Sequence, residues 1–319
     1  MIGNTPMVKI KYRYKGIEKS VYAKLESYNL TGSIKDRVAY YMLNKAKERG
    51  ELKANMPIVE ATSGNTGISL ASLAAYYHHP CYIYMPNWVS IERVRIMELF
   101  GAHVTLFSKE EGGFSRCIEE AKKFALENNG FLASQFSNTD NVLAHYETTG
   151  KEIVDNISQV DGFVSGIGTG GTLMGIGKRI LEENQKAIIC ALEPDTMALL
   201  SGGVVTSHKI EGIGDDFIPD LIDQDDIHKI IQVHDTDAIE MARKLGKELG
   251  LGVGISSGAN MLGAILLEEQ IGGTIVTVFP DDNKKYLTTD LTSSQKMEHF
   301  ISSQVELLDY QVVLDCVKS

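Results

Sequence analysis

Short apolar runs alternate with longer amphipathic stretches along almost all of this 319-residue chain. The runs that read as strands are 21–25, 57–61, 81–85, 103–107, 131–134, 162–165, 187–192, 229–233 and 274–279. Two of them, 81–85 and 187–192, are apolar at every position and others nearly so, as expected of strands covered on both faces of a parallel sheet. Helical periodicity fills 35–49, 66–77, 91–100, 114–127, 142–157, 172–182, 236–249 and 258–269. Gly50, Gly101, Gly130 and Gly250 stand where a left-handed residue closes a helix. The alternation predicts an α/β fold of mostly parallel open sheets with helices on both faces. With 319 residues, 43% of them hydrophobic, two lobes are expected rather than one core.

Ligands in such folds sit at the carboxyl ends of the strands. Two glycine-rich loops occupy that place, Thr62-Ser63-Gly64-Asn65-Thr66-Gly67 and Gly168-Thr169-Gly170-Gly171-Thr172. Each follows an apolar run and opens into a helical pattern. A helix start leaves N–H groups unpaired and carries partial positive charge, and glycines let an anion come close to them. Two anion cradles suggest a phosphorylated cofactor and a carboxylate substrate. Gly166, Gly168 and Gly171 also fit a dinucleotide fingerprint, with Glu193 ending the next strand. That reading leaves the first loop unexplained, and the dense run of Gly and Thr suits a monophosphate better than a pyrophosphate.

Lys35 begins a predicted helix, where the dipole disfavours a cation. A lone lysine there is commonly structural. Gly32 and Ser33 beside it clear room for something bulky, and a lysine that must lose its proton gains from dipole and desolvation. Such an amine can form a Schiff base with a carbonyl cofactor.

The net charge of −11 argues against nucleic-acid partners and acidic membrane surfaces. The short basic run at 45–49 reads as a solvated helix end. No apolar run is long enough to span a bilayer, and the first residues do not read as a signal peptide. The four cysteines, Cys81, Cys117, Cys190 and Cys316, form no CxxC pair and suit a reduced, cytoplasmic compartment. His78 and His79 read as surface groups at a helix end, and no metal site is expected.

These motifs are colinear with those of a known family. The chain resembles the cysteine synthases (O-acetylserine sulfhydrylases) and the related cystathionine β-synthase core, of the tryptophan synthase β-like pyridoxal-phosphate fold type II. The match runs through 2–6, 31–37, 62–67, Gln135-Phe136, 168–172, 211–219 and 254–258. The resemblance implies pyridoxal 5′-phosphate on Lys35, which also moves the substrate α-proton. It implies Asn65 beside the cofactor ring oxygen, and Thr62, Ser63, Asn65, Thr66 and Gln135 around the substrate carboxylate. It implies a phosphate cradle of Gly168, Thr169, Gly170, Gly171 and Thr172, Ser256 opposite the pyridine nitrogen, and Gly212 in the pocket wall. Two lobes follow, a smaller mobile one of 36–143 and a cofactor-holding one of 1–35 with 144–319. A homodimer is also implied, with no haem extension or regulatory module.

The activity implied is β-replacement on a serine-type amino acid, first O-acetylserine plus sulfide giving cysteine and acetate. Two departures bear on this: Leu30 stands where the family has proline, and Trp88-Val89 where it often has Thr-Met. A third is Asp215-Asp216, where sulfhydrylases commonly carry small residues. Both aspartates fit a solvated loop. The sharper expectation is that one faces the pocket and deprotonates water or a thiol, as suits an enzyme releasing sulfide from L-cysteine with serine as product. A catalytically silent family member acting as a binding partner is the third alternative. The expected catalytic residue types are all present, which counts against silence. The tail 291–319 carries no site motif and is expected to pack on the body or on a second subunit.

Overall fold

The computed structural model describes residues 1–293 and 301–313. The chain opens with a hairpin of β1 (Met7–Tyr14) and β2 (Ile17–Leu25). Its turn residues Lys15 and Gly16 have φ of 50° and 78°, which matches the twist of tight hairpins. Alternating units follow: α1 (Lys35–Glu48), β3 (Ile58–Ala61), α2 (Asn65–Tyr77), β4 (Cys81–Pro86), α3 (Ile91–Leu99), β5 (His103–Phe107), α4 (Gly113–Glu127) and β6 (Phe131–Leu132). Their strands form one parallel four-stranded sheet, ordered β5-β4-β3-β6.

The chain then runs through α5 (Asp140–Ala144), a π-helical turn at His145–Gly150 and α6 (Lys151–Asn156). The single helix expected over 142–157 is thus broken by a wider turn. After it come β7 (Gly162–Gly166), α7 (Gly171–Glu183), β8 (Ile188–Pro194), β9 (Lys229–Val233), α8 (Asp235–Leu249), α9 (Ile255–Ile271), β10 (Ile275–Phe279), α10 (Ile301–Gln304) and β11 (Val305–Val313). The second sheet has seven strands, ordered β11-β1-β2-β10-β7-β8-β9. It is parallel from β2 to β9, and β1 runs antiparallel to both β2 and β11.

The strands expected from continuous apolar runs are present, and β7 and β10 are buried throughout or nearly so. Strands β1 and β11 were not expected. Strand β1 interleaves Lys and Arg with its apolar residues because only one face is covered. Strand β11 shows that the tail packs on the body of the molecule. Cys316 lies outside the described residues.

A buried ionic cluster ties the chain start to α1. Arg37 Nε meets Glu26 Oε2 at 2.7 Å, and Arg37 Nη1 meets Glu152 Oε1 at 2.6 Å. Lys24 Nζ lies 2.7 Å from Glu152 Oε2, and Thr5 Oγ1 donates to Glu26 Oε1. Two cations face two carboxylates, so charge balances where water is excluded. Asn4 N–H donates to the same Glu152, which fixes the turn before β1.

Candidate active site

Both glycine loops lie where expected, at the β3–α2 and β7–α7 junctions. Lys35 is the first residue of α1, and its N–H donates to Ser33 Oγ at 3.3 Å. The loops and Lys35 surround one narrow cleft of about 60 Å³ that opens to solvent. Thr62, Ser63, Asn65, Thr66, Gln135, Gly168, Thr169, Gly170, Thr172, Gly212, Asp215 and Ser256 all line it. Gly171 does not line it, though its N–H opens α7 behind the loop. Asp216 is exposed and lines an outer vestibule of about 550 Å³, which Asp215 also reaches.

Enclosure depresses the Lys35 amine to about 8, against a smaller opposing pull from Asp215. The Asp215 carboxyl is pushed up to about 6, first by enclosure and then by the charge of Asp216, while Lys35 draws it down. Two groups of opposite type therefore sit near neutrality in one cleft, a pattern concentrated at functional sites.

In the first loop, Gln135 Oε1 accepts from Thr66 Oγ1 at 2.5 Å, and Gln135 Nε2 donates to the Ala61 carbonyl at 3.0 Å. Asn65 Nδ2 donates to Asp281 Oδ2, which also accepts from Tyr286 at 2.7 Å. Asn65 Oδ1 is buried without a hydrogen-bond partner among the described residues. Ser256 lies in the first turn of α9, which begins three residues earlier than the expected 258. The glycines of the second loop have no room for side chains. A Cβ on Gly168 would lie 2.4 Å from the Gly212 carbonyl oxygen, and Gly170 has φ +86°. An unsatisfied buried amide oxygen, a cramped glycine cradle at a helix start and an enclosed amine together fit a phosphorylated carbonyl cofactor.

Four residues here escaped the sequence reading. Arg93 is buried in α3, donates to the Ser63 carbonyl at 3.0 Å and lines the cleft. Glu60 sits inside β3 and accepts the N–H groups of Ala61 and Gln135. Burial raises its carboxyl to about 7 against those two bonds. A charge inside an apolar run was its only signal. Asn141 and His145, fully buried, stand behind the phosphate loop.

Fold and site together fit an enzyme that takes a phosphorylated carbonyl cofactor in the cleft that Lys35 lines. Residues 1–281 match the family described as pyridoxal-phosphate dependent enzyme. The chain belongs to that family, among its β-replacement enzymes of the cysteine synthase group. It is 39% identical to a cysteine synthase of Staphylococcus aureus over 297 residues, 92% of this chain and 96% of that one. It is 41% identical to cysteine synthase B of Campylobacter jejuni, covering 91% and 96%. Among solved structures, a hydrogen sulfide-producing enzyme of Fusobacterium nucleatum superposes with TM-score 0.93 at 52% identity, covering 96% of this chain and 94% of that one. An aspartate-to-asparagine variant of that type of enzyme has been solved with a reaction intermediate bound. No helix among the described residues is long and apolar enough to cross a membrane.

Proposed function

We propose that the chain acts on L-cysteine, breaking its Cβ–S bond and forming a Cβ–O bond with water, so that L-cysteine and water become L-serine and hydrogen sulfide. The observation that carries this direction is Asp215, half-buried on the wall of the cleft that Lys35 also lines. Hydrosulfide is already a nucleophile near neutral pH and needs no base. Water, with a pKa of about 15.7, does. A carboxylate raised to about 6 is a competent base there. The sulfide-producing relative at 52% identity supports the same direction.

Pyridoxal phosphate, when bound, supplies an electron sink for charge developing at the substrate α-carbon. The chain supplies the rest. Lys35 Nζ anchors the cofactor, then takes and returns the Cα proton. Thr62, Ser63, Asn65 and Thr66, with Gln135 bracing Thr66, hold the α-carboxylate. Gly168, Thr169, Gly170 and Thr172 would hold the phosphate, with Gly171 behind them at the start of α7. Ser256 would hold the ring nitrogen and keep it neutral, which would favour loss of the Cβ group over racemisation. Gly212 walls the site, and Asp215 takes the proton of the attacking water. Asp216 acts on Asp215 through its charge.

Cysteine synthesis uses the same residues with hydrosulfide in place of water, and it is the second reading. Supplying L-cysteine alone separates the two. Serine and sulfide are expected in equal amounts, with Asp215→Asn losing about a hundredfold of that rate while still joining O-acetylserine to sulfide. An unchanged rate in Asp215→Asn would remove the base.

The smaller mobile lobe is assigned to 36–143, and the cofactor-holding lobe to 1–35 with 144–319. Their separate sheets support that division. A cytoplasmic setting is supported by the free, buried Cys81, Cys117 and Cys190. A homodimer follows the cysteine synthase pattern and is testable by sedimentation.

A further inference from the structure

Asn141, His145 and Thr149 lie four residues apart, through the point where α5 passes into the π-helical turn. They face one side, toward the phosphate loop. Asn141 Nδ2 donates to the Gln135 carbonyl at 2.8 Å and to Thr169 Oγ1 at 2.9 Å. A backbone carbonyl can only accept, so the amide orientation is fixed: the group facing Thr169 is the donor. Thr169 Oγ1 accepts a second, longer bond from Gly171 N–H at 3.5 Å. Both lone pairs of that hydroxyl are therefore used from behind, and its proton is left to point forward into the cleft.

Thr172 repeats the arrangement. Its Oγ1 lies 3.2 Å from His145 Nε2, and His145 Nδ1 lies 3.0 Å from Thr149 Oγ1. Burial holds His145 neutral, with help from the charges of Lys35 and Arg37. A neutral ring has one donor and one acceptor. The tautomer with its proton on Nε2 accepts from Thr149 at Nδ1 and donates to Thr172, which frees the Thr172 proton; the other tautomer would take that proton, so the Nε2–H form is part of the proposal. Close packing keeps the pieces in register: a Cβ on Gly171 would meet Asn141 Oδ1 at 2.0 Å, and one on Gly175 would meet the Val142 carbonyl at 2.3 Å.

We infer that Asn141 and His145 are positioning residues that set the polarity of the Thr169 and Thr172 hydroxyls, making both of them donors to the cofactor phosphate. This rests on the reading of 168–172 as the phosphate cradle. The π-helical turn is then the device that carries His145 to Thr172 while Asn141 stays on Thr169, a use consistent with where such turns occur.

The test uses protein stripped of cofactor and measures its dissociation constants for pyridoxal phosphate and for pyridoxal, which lacks the phosphate, by equilibrium dialysis. Thr169→Val is expected to weaken pyridoxal phosphate about tenfold or more, the scale of a hydrogen bond to a charged group, and to leave pyridoxal unchanged. Asn141→Asp keeps the size but presents only acceptors, so it captures the Thr169 proton. It is expected to weaken pyridoxal phosphate to a similar extent. The Asn141→Asp/Thr169→Val double variant should bind no worse than Thr169→Val alone. In a second cycle, His145→Leu weakens binding, His145→Gln restores it by supplying an N–H, and His145→Leu adds nothing once Thr172 is Val. If Thr169→Val and Thr172→Val bind the cofactor normally, the cradle assignment itself is wrong. If they weaken it but Asn141→Asp and His145→Leu do not, or if the paired losses add in full, the cradle stands and the positioning role is overturned. The second cycle decides the matter should Asn141→Asp fail to fold.

Discussion

Arg93 Nη1 lies 2.7 Å from Glu211 Oε2, and the pair joins α3 of the four-stranded unit to the loop that also carries Asp215. The guanidinium is almost fully buried and stacks over the Tyr286 ring, 5.0 Å from its centroid. Removing Arg93 leaves the partly enclosed Glu211 carboxylate without its counter-charge and empties a buried site. Arg93→Ala is expected to lower stability to urea by about 3 kcal/mol, and adding Glu211→Gln should recover about 1–2 kcal/mol, because the amide needs no counter-charge. The Arg93 contact with the Ser63 carbonyl adds a kinetic expectation. Arg93→Lys keeps the charge, loses the planar stack on Tyr286, and should raise KM for the amino acid more than it lowers kcat.

Lys35 reacts with an aldehyde only as the free amine. In cofactor-free protein its amine sits at about 8 rather than the usual value above 10, because enclosure outweighs the pull of Asp215. The rate of pyridoxal-phosphate incorporation should therefore rise with pH and level off just above 8. Asp215→Asn removes the one group holding the proton on, so the same curve should move to lower pH. Borohydride reduction followed by peptide mapping should place the label on Lys35, and Lys35→Ala should take none. A label on any other side chain would sink the assignment.

If Asp215 is the base for water, its carboxylate form does the work. Sulfide release from L-cysteine should then fall as pH drops through about 6, not through the usual range near 4. Asp216 raises that value through like charge, so Asp216→Asn should shift the acid limb downward while the plateau rate holds. Joining O-acetylserine to sulfide, which needs no such base, should show the same acid limb in Asp215→Asn as in the parent.

Much of this site was legible because glycine-rich turns and apolar runs are local signals. The cleft residues from Thr62 to Ser256 came from contiguous motifs, and all but Gly171 and Asp216 line the cleft. Less legible were features that depend on distant partners. Strand β11 is recognisable as a strand only beside β1, some three hundred residues away, where Met7 pairs with Val313. The π-helical turn inside 142–157 leaves no mark in the hydrophobic period, since one inserted residue shifts the faces by less than a turn. Asn141 reads as an ordinary polar helix residue until the fold sets it between Gln135 and Thr169.

Glu152 accepts from Arg37 and pairs with Lys24, and those cations hold its carboxyl down at about 2 in spite of partial burial. A carboxylate depressed in the folded state contributes stability above its unfolded pKa, near 4.5, and loses that contribution as pH falls toward 2. The full shift corresponds to about 3 kcal/mol at neutral pH. Urea unfolding should therefore show a decline between pH 5 and pH 3 that is smaller in Glu152→Gln by roughly the part of that shift already titrated at pH 3, about 2 kcal/mol. The same variant should be less stable at pH 7, because Arg37 and Lys24 would then face Glu26 alone, two buried cations against one anion. Since Asn4 N–H also donates to Glu152, the loss should loosen the turn before β1, and amide exchange at Asn4 should rise before exchange in β7 or β10 does. Equal acid sensitivity in both proteins would mean that the cluster's charge balance is carried elsewhere.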